Sequence, residues 1–302
     1  MASSFLLEEI LYLTSRAPKI ISSCTDGLSY TFLKLIFKHP KYSVVLTNVR
    51  LSSSKERRPI TLINCDAKIF TRFLNARMVT VFPPLISPWQ SGFMKKRFIA
   101  GNGALAQIAI EQASLRNSDK VDLLCDQEKA YDRVHPTYLQ AVLNCYGFPY
   151  KFTSAITNLF YSTSMCVNVN GYLTLPVSLG RDLRQGYPIS PLLFYLVLEP
   201  LVKSISDSPV IRGFDPPSLS LPTVRDPLHG LSAIQPLKVL AYADNPLLFL
   251  RDPADLEAAQ QLIHCYNLAS NAKMNFDKTI AFSVSGLPHP HCPPRFSRSW
   301  NH

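Results

Sequence analysis

Two apolar runs in this chain each end on a carboxylate, and that constrains its fold more than any other feature. "KVDLLCDQEKAYDRV" reaches Asp126, and "KVLAYADNPLLFL" reaches Asp244. Runs of this apolar density belong inside a protein, where a terminal charge is costly unless a partner neutralises it. Their length and polar flanks read as short buried strands, the second one a hairpin with Asp244 at its tip. Neighbouring strands of one sheet would bring the two acids to the same edge. There, unpaired, they would repel and raise each other's pKa. A divalent cation resolves the conflict. Magnesium is commonly held by one or two carboxylates plus substrate phosphates, and paired metals stabilise the attacking and leaving oxygens of a phosphoryl displacement. On spacing alone, the same acids read equally well as strand-end turn residues.

The elements around them fall into a definite order. "RPITLINCDAKIFTRFLNARM" has helical periodicity, with Ile69, Phe73 and Leu74 on one side, and "GALAQIAIEQASLR" is a second helix. After the Asp126 strand come two helices, "PTYLQAVLNCYGF" and "YKFTSAITNLFYS". "CVNVNGYLTLPVS" alternates about Asn170-Gly171, a strong hairpin signal. The polar turn "RQGYPISP" leads into a helix with Ser190 as cap and Pro191 in its first turn. Residues 213–236 are rich in Pro and Ser and read as a long surface insertion. The Asp244 hairpin follows, then a helix capped by Asp252 and Pro253, then the strand "KTIAFSVSG". This order predicts an α+β fold, an antiparallel sheet with helices packed on one face. Upstream, "FLLEEILYL" and "YTFLKLIFKH" read as further helical pieces.

Charge narrows the partners. The 302 residues carry a formal net charge of +10, gathered in "NVRLSSSKERRPI" and "FMKKRF", a balance that favours polyanions and above all nucleic acid. Seven cysteines without any C-x-x-C pair argue for a reducing, intracellular setting in the cytoplasm or nucleus. The longest apolar run, "PLLFYLVLEPLV", is too short to span a bilayer, so no membrane role is expected. His289, His291 and Cys292 lie in a Pro-rich tail that reads as a disordered end rather than a zinc site.

"CDQEKAYDRV", "RQGYPISPLLF" and "AYADNPLLFL", in that order, resemble the A, B and C motifs of reverse transcriptases, most closely those of non-LTR, LINE-like retrotransposons. "RPITLINCDAKIFTRFLNARM", "QSGFMKKRF" and "SNAKMNFDKT" extend the likeness over residues 58–285. The resemblance implies a right-hand polymerase fold: a degenerate N-terminal or fingers remnant at 1–57, fingers at 58–118, palm at 119–285 and a tail at 286–302. It implies RNA-directed DNA synthesis from an RNA template, a DNA primer and dNTPs, with Mg2+ or Mn2+ as cofactor. By position, Asp126 would bind both metals with help from the Gln127 carbonyl, and Tyr242 and Asp244 would belong to the metal-binding hairpin. Tyr131 would be the steric gate against the ribose 2′-hydroxyl. Gln185 and Gly186 would pack on the incoming nucleotide and template. Lys278, or else Lys273, would approach the nucleotide phosphates. Arg58, Lys95, Lys96 and Arg97 would contact template phosphate without reading sequence.

The departures from the family pattern carry equal weight. The hairpin reads Tyr-Ala-Asp-Asn, with Asn245 where the family has a second acid, and an amide offers a cation an oxygen but no charge. Pro246 biases Asn245 towards an extended backbone. Tyr187 replaces the acid or small residue of the "RQGDPLSP" form. Only about thirty residues separate "TDGLS" from "RPI", a short connection where a basic fingers strand is expected. Thumb and preceding endonuclease are not recognisable either. The expectation is a fragment of a decayed element whose polymerase is impaired, or one that only binds nucleic acid.

Overall fold

The computed structural model describes residues 61, 65–94, 96–116, 118, 120–169, 172–215 and 235–283. The helical pieces expected in 1–57, Arg58, Lys95, the middle of the 213–236 insertion and the 286–302 tail lie outside these. Contacts divide the chain into two compact units, Met1–Thr80 with Arg184–Ser190, and Val81–Leu183 with Pro191–His302.

The first unit contains most of helix α1 (Cys65–Val81), on which Phe73, Leu74 and Met78 are buried. It also holds the "RQGYPIS" turn. Gly186 has φ 112°, and a Cβ built there would lie 2.8 Å from the Thr61 carbonyl oxygen, so only glycine fits. Arg184 donates to the Tyr187 hydroxyl at 2.9 Å, and both side chains are buried. Tyr187 thus supplies a neutral acceptor to the buried guanidinium. Ser190 opens helix α5 (Ser190–Asp207), and its hydroxyl donates to the Arg184 carbonyl at 2.7 Å, which ties the helix start to the turn.

The second unit is built on a four-stranded antiparallel sheet, in spatial order β6-β7-β1-β8, formed by β1 (Val121–Leu124), β6 (Val239–Tyr242), β7 (Asn245–Leu250) and β8 (Ile280–Ser283). Strand β1 pairs with β7 from Val121↔Leu250 to Leu124↔Leu247, and with β8 from Val121↔Ser283 to Leu124↔Ile280. Helices α3 (Pro136–Cys145) and α4 (Tyr150–Tyr161) follow β1 and pack on each other. Two short antiparallel ladders follow, β2 (Ser164–Met165) with β5 (Val177–Ser178) and β3 (Asn168–Val169) with β4 (Tyr172–Leu173), while the Asn170-Gly171 pair expected to turn the chain lies outside the described residues. Helix α6 (Pro253–Ser270) starts as its sequence dictates, with Asp252 accepting from the Asp255 N–H at 3.0 Å and Pro253 in the first turn.

The α+β class and element order are as expected. Cross-strand partners share a face, so the register sorts the core residues into two sets. Helix α2 (Ile99–Leu115) lays Ala109 and Ala113 against Leu240 and Phe249. On the opposite face Val239, Leu123 and Leu248 are buried as well. The insertion is closed at its base by paired hydrogen bonds between Phe214 and Leu237, each 2.8 Å.

Candidate metal and nucleotide site

The ladder between β1 and β7 decides where the acids fall. It continues past β1 through Cys125, whose N–H donates to the Pro246 carbonyl at 2.9 Å. One step further in the same register sets Asp126 opposite Asn245, with Asp244 next to it in the β6–β7 turn. Both acids are therefore at one end of the sheet. Extended backbone alternates its hydrogen-bonding groups between its two sides. Asp126 faces the β8 side: its N–H donates to the Thr279 hydroxyl at 3.3 Å, and its carbonyl accepts from the Asn275 N–H at 2.8 Å. Glu128 does the same, donating to the Lys273 carbonyl. The intervening Gln127 carbonyl is thereby directed to the hairpin side.

The donor set is all oxygen: two half-exposed carboxylates and one backbone carbonyl. Such ligands suit Mg2+ or Mn2+ and not the thiol- and imidazole-bound metals. Among the described residues no group of three or more His, Cys, Asp or Glu stands together to hold a metal alone, so the substrate's phosphates would have to complete the shell. Asn245 turns its amide Nδ2 towards Asp244 Oδ1 at 3.5 Å, presenting a donor where a second carboxylate would present an acceptor. Cys125 beneath is inert, its thiol pushed up to about 12 by burial.

Tyr131 lies against this end. Its ring stacks on Phe194 at 4.6 Å, and burial, then Tyr195, then the charge of Asp244 hold its hydroxyl above the usual phenol range. Tyr242 is partly exposed beside the turn. Lys278 is exposed and sits one residue before Thr279, the partner of Asp126. Lys273 is engaged with Glu128 at 3.0 Å, and that bond holds the Glu128 carboxyl below its ordinary value. Gln185 and Gly186 belong to the first unit.

Lys96 is exposed, with its backbone in the left-handed region at φ 63°, whereas the Arg97 guanidinium is turned to backbone carbonyls rather than outward to a phosphate. Its guanidinium donates to the carbonyls of Ser87, Gln90 (2.8 Å), Ile86 (3.0 Å) and Pro83 (3.3 Å). It folds the 83–90 loop around itself. That loop then pairs with β6, through Ser91 N–H to the Ala241 carbonyl at 3.2 Å and Ala241 N–H to the Trp89 carbonyl at 2.8 Å.

Sequence reasoning missed the residues that hold this loop. Glu199 is buried on α5, accepts from the Ser87 N–H at 2.9 Å and from the Gln90 amide, and is pushed up to about 7 by burial. A signal was present, since a carboxylate inside the apolar run "PLLFYLVLEPLV" needs a buried partner.

Asp126 and Asp244 thus share an oxygen-rich end of an antiparallel sheet, with the Tyr131 ring beside it. The chain belongs to the reverse transcriptase (RNA-dependent DNA polymerase) family, whose model matches residues 40–292. It is of the LINE-like retrotransposon kind. It is 32% identical over 245 residues to the Transposon TX1 uncharacterized 149 kDa protein of Xenopus laevis, covering 80% of this chain and 17% of that protein. It is 24% identical to the Pol polyprotein from the type-2 retrotransposable element R2DM of Drosophila melanogaster (78% and 20% covered), and 24% identical to that from the type-1 element R2 of Popillia japonica (81% and 32%). The chain thus spans 17–32% of the length of these relatives. Among solved structures, apo telomerase from Candida tropicalis is similar at TM-score 0.47 and 10% identity, covering 70% of this chain and 36% of that one.

Proposed function

We propose that this chain is the fingers–palm part of a reverse transcriptase, and that it extends a DNA primer on an RNA template at a rate limited by Asn245. The supporting observation is the β1–β7 register, which carries Asp126 and the Asp244 turn to one sheet end. Asp126, Asp244 and the Gln127 carbonyl would hold Mg2+ or Mn2+, whose role when bound is to neutralise the nucleotide's phosphates. In the reaction the primer 3′-hydroxyl attacks the α-phosphorus of a dNTP, the bond to the β-phosphate breaks, and pyrophosphate leaves. Tyr131 would line the sugar, Gln185 and Gly186 the nucleotide and template, and Lys278 the triphosphate. Arg58, Lys95 and Lys96 would track template phosphate.

Catalysis in such a site is mainly positioning and charge neutralisation. Losing one preorganised charged ligand lowers turnover roughly 10²–10³-fold. The alternative, a nucleic-acid-binding remnant without turnover, draws on the same Asn245. Primer extension on poly(rA)/oligo(dT), comparing the chain with Asn245→Asp, separates them. The polymerase reading expects faint extension that rises in the variant. Extension by neither chain supports the binding remnant.

A further inference from the structure

The turn that carries Asp244 has only two residues between paired strands, and its first, Ala243, stands at φ 52°, a left-handed backbone that favours glycine. Something must hold it there. The Ala243 N–H donates to the hydroxyl of Tyr195 at 3.2 Å. Tyr195 comes from the middle of α5, is fully buried, and has Phe93 at 5.9 Å against its ring. Its hydroxyl occupies a seat that exists because residue 92 is glycine. A Cβ on Gly92 would lie 1.7 Å from that oxygen and 3.2 Å from the Tyr242 ring. The seat is braced from behind: Gln90 bridges Glu199 and the Tyr195 carbonyl, and the Arg97 guanidinium gathers the 83–90 carbonyls. Loop, α5 and hairpin therefore meet at one phenol oxygen.

We propose that Tyr195 is a positioning residue for the Asp244 turn, its hydroxyl seated on Gly92 and fixing the backbone of Ala243. What Asp244 does once positioned rests on the polymerase reading, but the positioning itself does not. Tyr195 touches no substrate; it acts through Ala243.

The test uses the metal-free full chain and three variants, Tyr195→Phe, Gly92→Ala and Asp244→Asn, each checked for its melting transition. Amide exchange at Ala243 should accelerate about 10-fold in Tyr195→Phe, the factor expected for one lost hydrogen bond. Gly92→Ala, which keeps the phenol but displaces it, should do the same. Mn2+ affinity, read by electron paramagnetic resonance, should weaken several-fold in both variants and be lost in Asp244→Asn. Unchanged exchange at Ala243 in Tyr195→Phe would overturn the proposal. Failure of both Tyr195→Phe and Gly92→Ala to fold would also overturn it, by making the contact one of general stability. Retention of Mn2+ by Asp244→Asn would instead sink the metal reading, while the exchange data still judged Tyr195.

Discussion

Strand β7 has acids at both ends, and the two ends are treated oppositely. Past Leu250 the chain enters Arg251, Asp252 and Asp255, where each carboxylate is supplied with donors. Asp255, fully buried, accepts from the backbone N–H groups of Arg212, Gly213 and Arg251, all at 2.9 Å. Asp252 caps α6 and pairs with Arg212, and Arg251 pairs with Asp215 at 2.9 Å. At the other end Asp244 has one long contact, to its neighbour Asn245, and Asp126 makes no side-chain hydrogen bond or ion pair among the described residues. Carboxylates that hold a fold are satisfied from within, whereas a half-exposed pair at a sheet end has oxygens left over for an outside partner.

The sharpest way to break this contrast is to neutralise the poorly partnered acids. In an Asn245→Asp background, Asp126→Asn and Asp244→Asn should each cut primer extension about 10²–10³-fold, with urea midpoints nearly unchanged. A large stability loss in either variant would show that these acids also hold the fold. At the saturated end the order reverses. Asp255→Ala removes an acceptor from three backbone N–H groups, each costing about 1–3 kcal/mol when left buried. Equilibrium urea unfolding should register a loss of at least about 3 kcal/mol.

A third effect is smaller and depends on pH. Asp122, buried in mid-β1, is pushed from 3.8 to about 8, mainly by burial, and Glu199 from 4.5 to about 7 for the same reason. Both values are raised on folding, so the folded chain keeps protons that the unfolded chain releases. The stability these two groups contribute is therefore fully present below about pH 4 and is lost as pH rises towards 8. Asp122→Asn should flatten that decline by an amount on the order of a few kcal/mol, read from unfolding curves at pH 5 and 8. The smallest effect belongs to Lys273→Ala. The Glu128 pair it breaks is exposed and screened, so the cost should stay under about 1 kcal/mol.

How much was legible in the sequence follows from the range of the contacts. Alternation and the Asp252-Pro253 start are local signals, and each yielded the right element. The two acids were legible because burial makes a charge conspicuous within a few residues. Arg97 was misread because "KKR" shows a charge but not the four carbonyls that come to surround it. Nothing local marks Asp255, in the first turn of α6, or Tyr195, inside an apolar run. Two of the three donors to Asp255 lie 42 and 43 positions away, and Tyr195 meets Ala243 and Gln90 at separations of 48 and 105, which only the fold brings near.

On the proposed reading, Asp126 and Asp244 form one divalent-cation site at the end of β1 and β7. Mn2+ titration of the metal-free chain, followed by electron paramagnetic resonance with Mg2+ as competitor, tests it directly. One Mg2+-displaceable site is expected, lost in Asp126→Asn and in Asp244→Asn and tightened in Asn245→Asp. Equal Mn2+ binding by all four chains would contradict it.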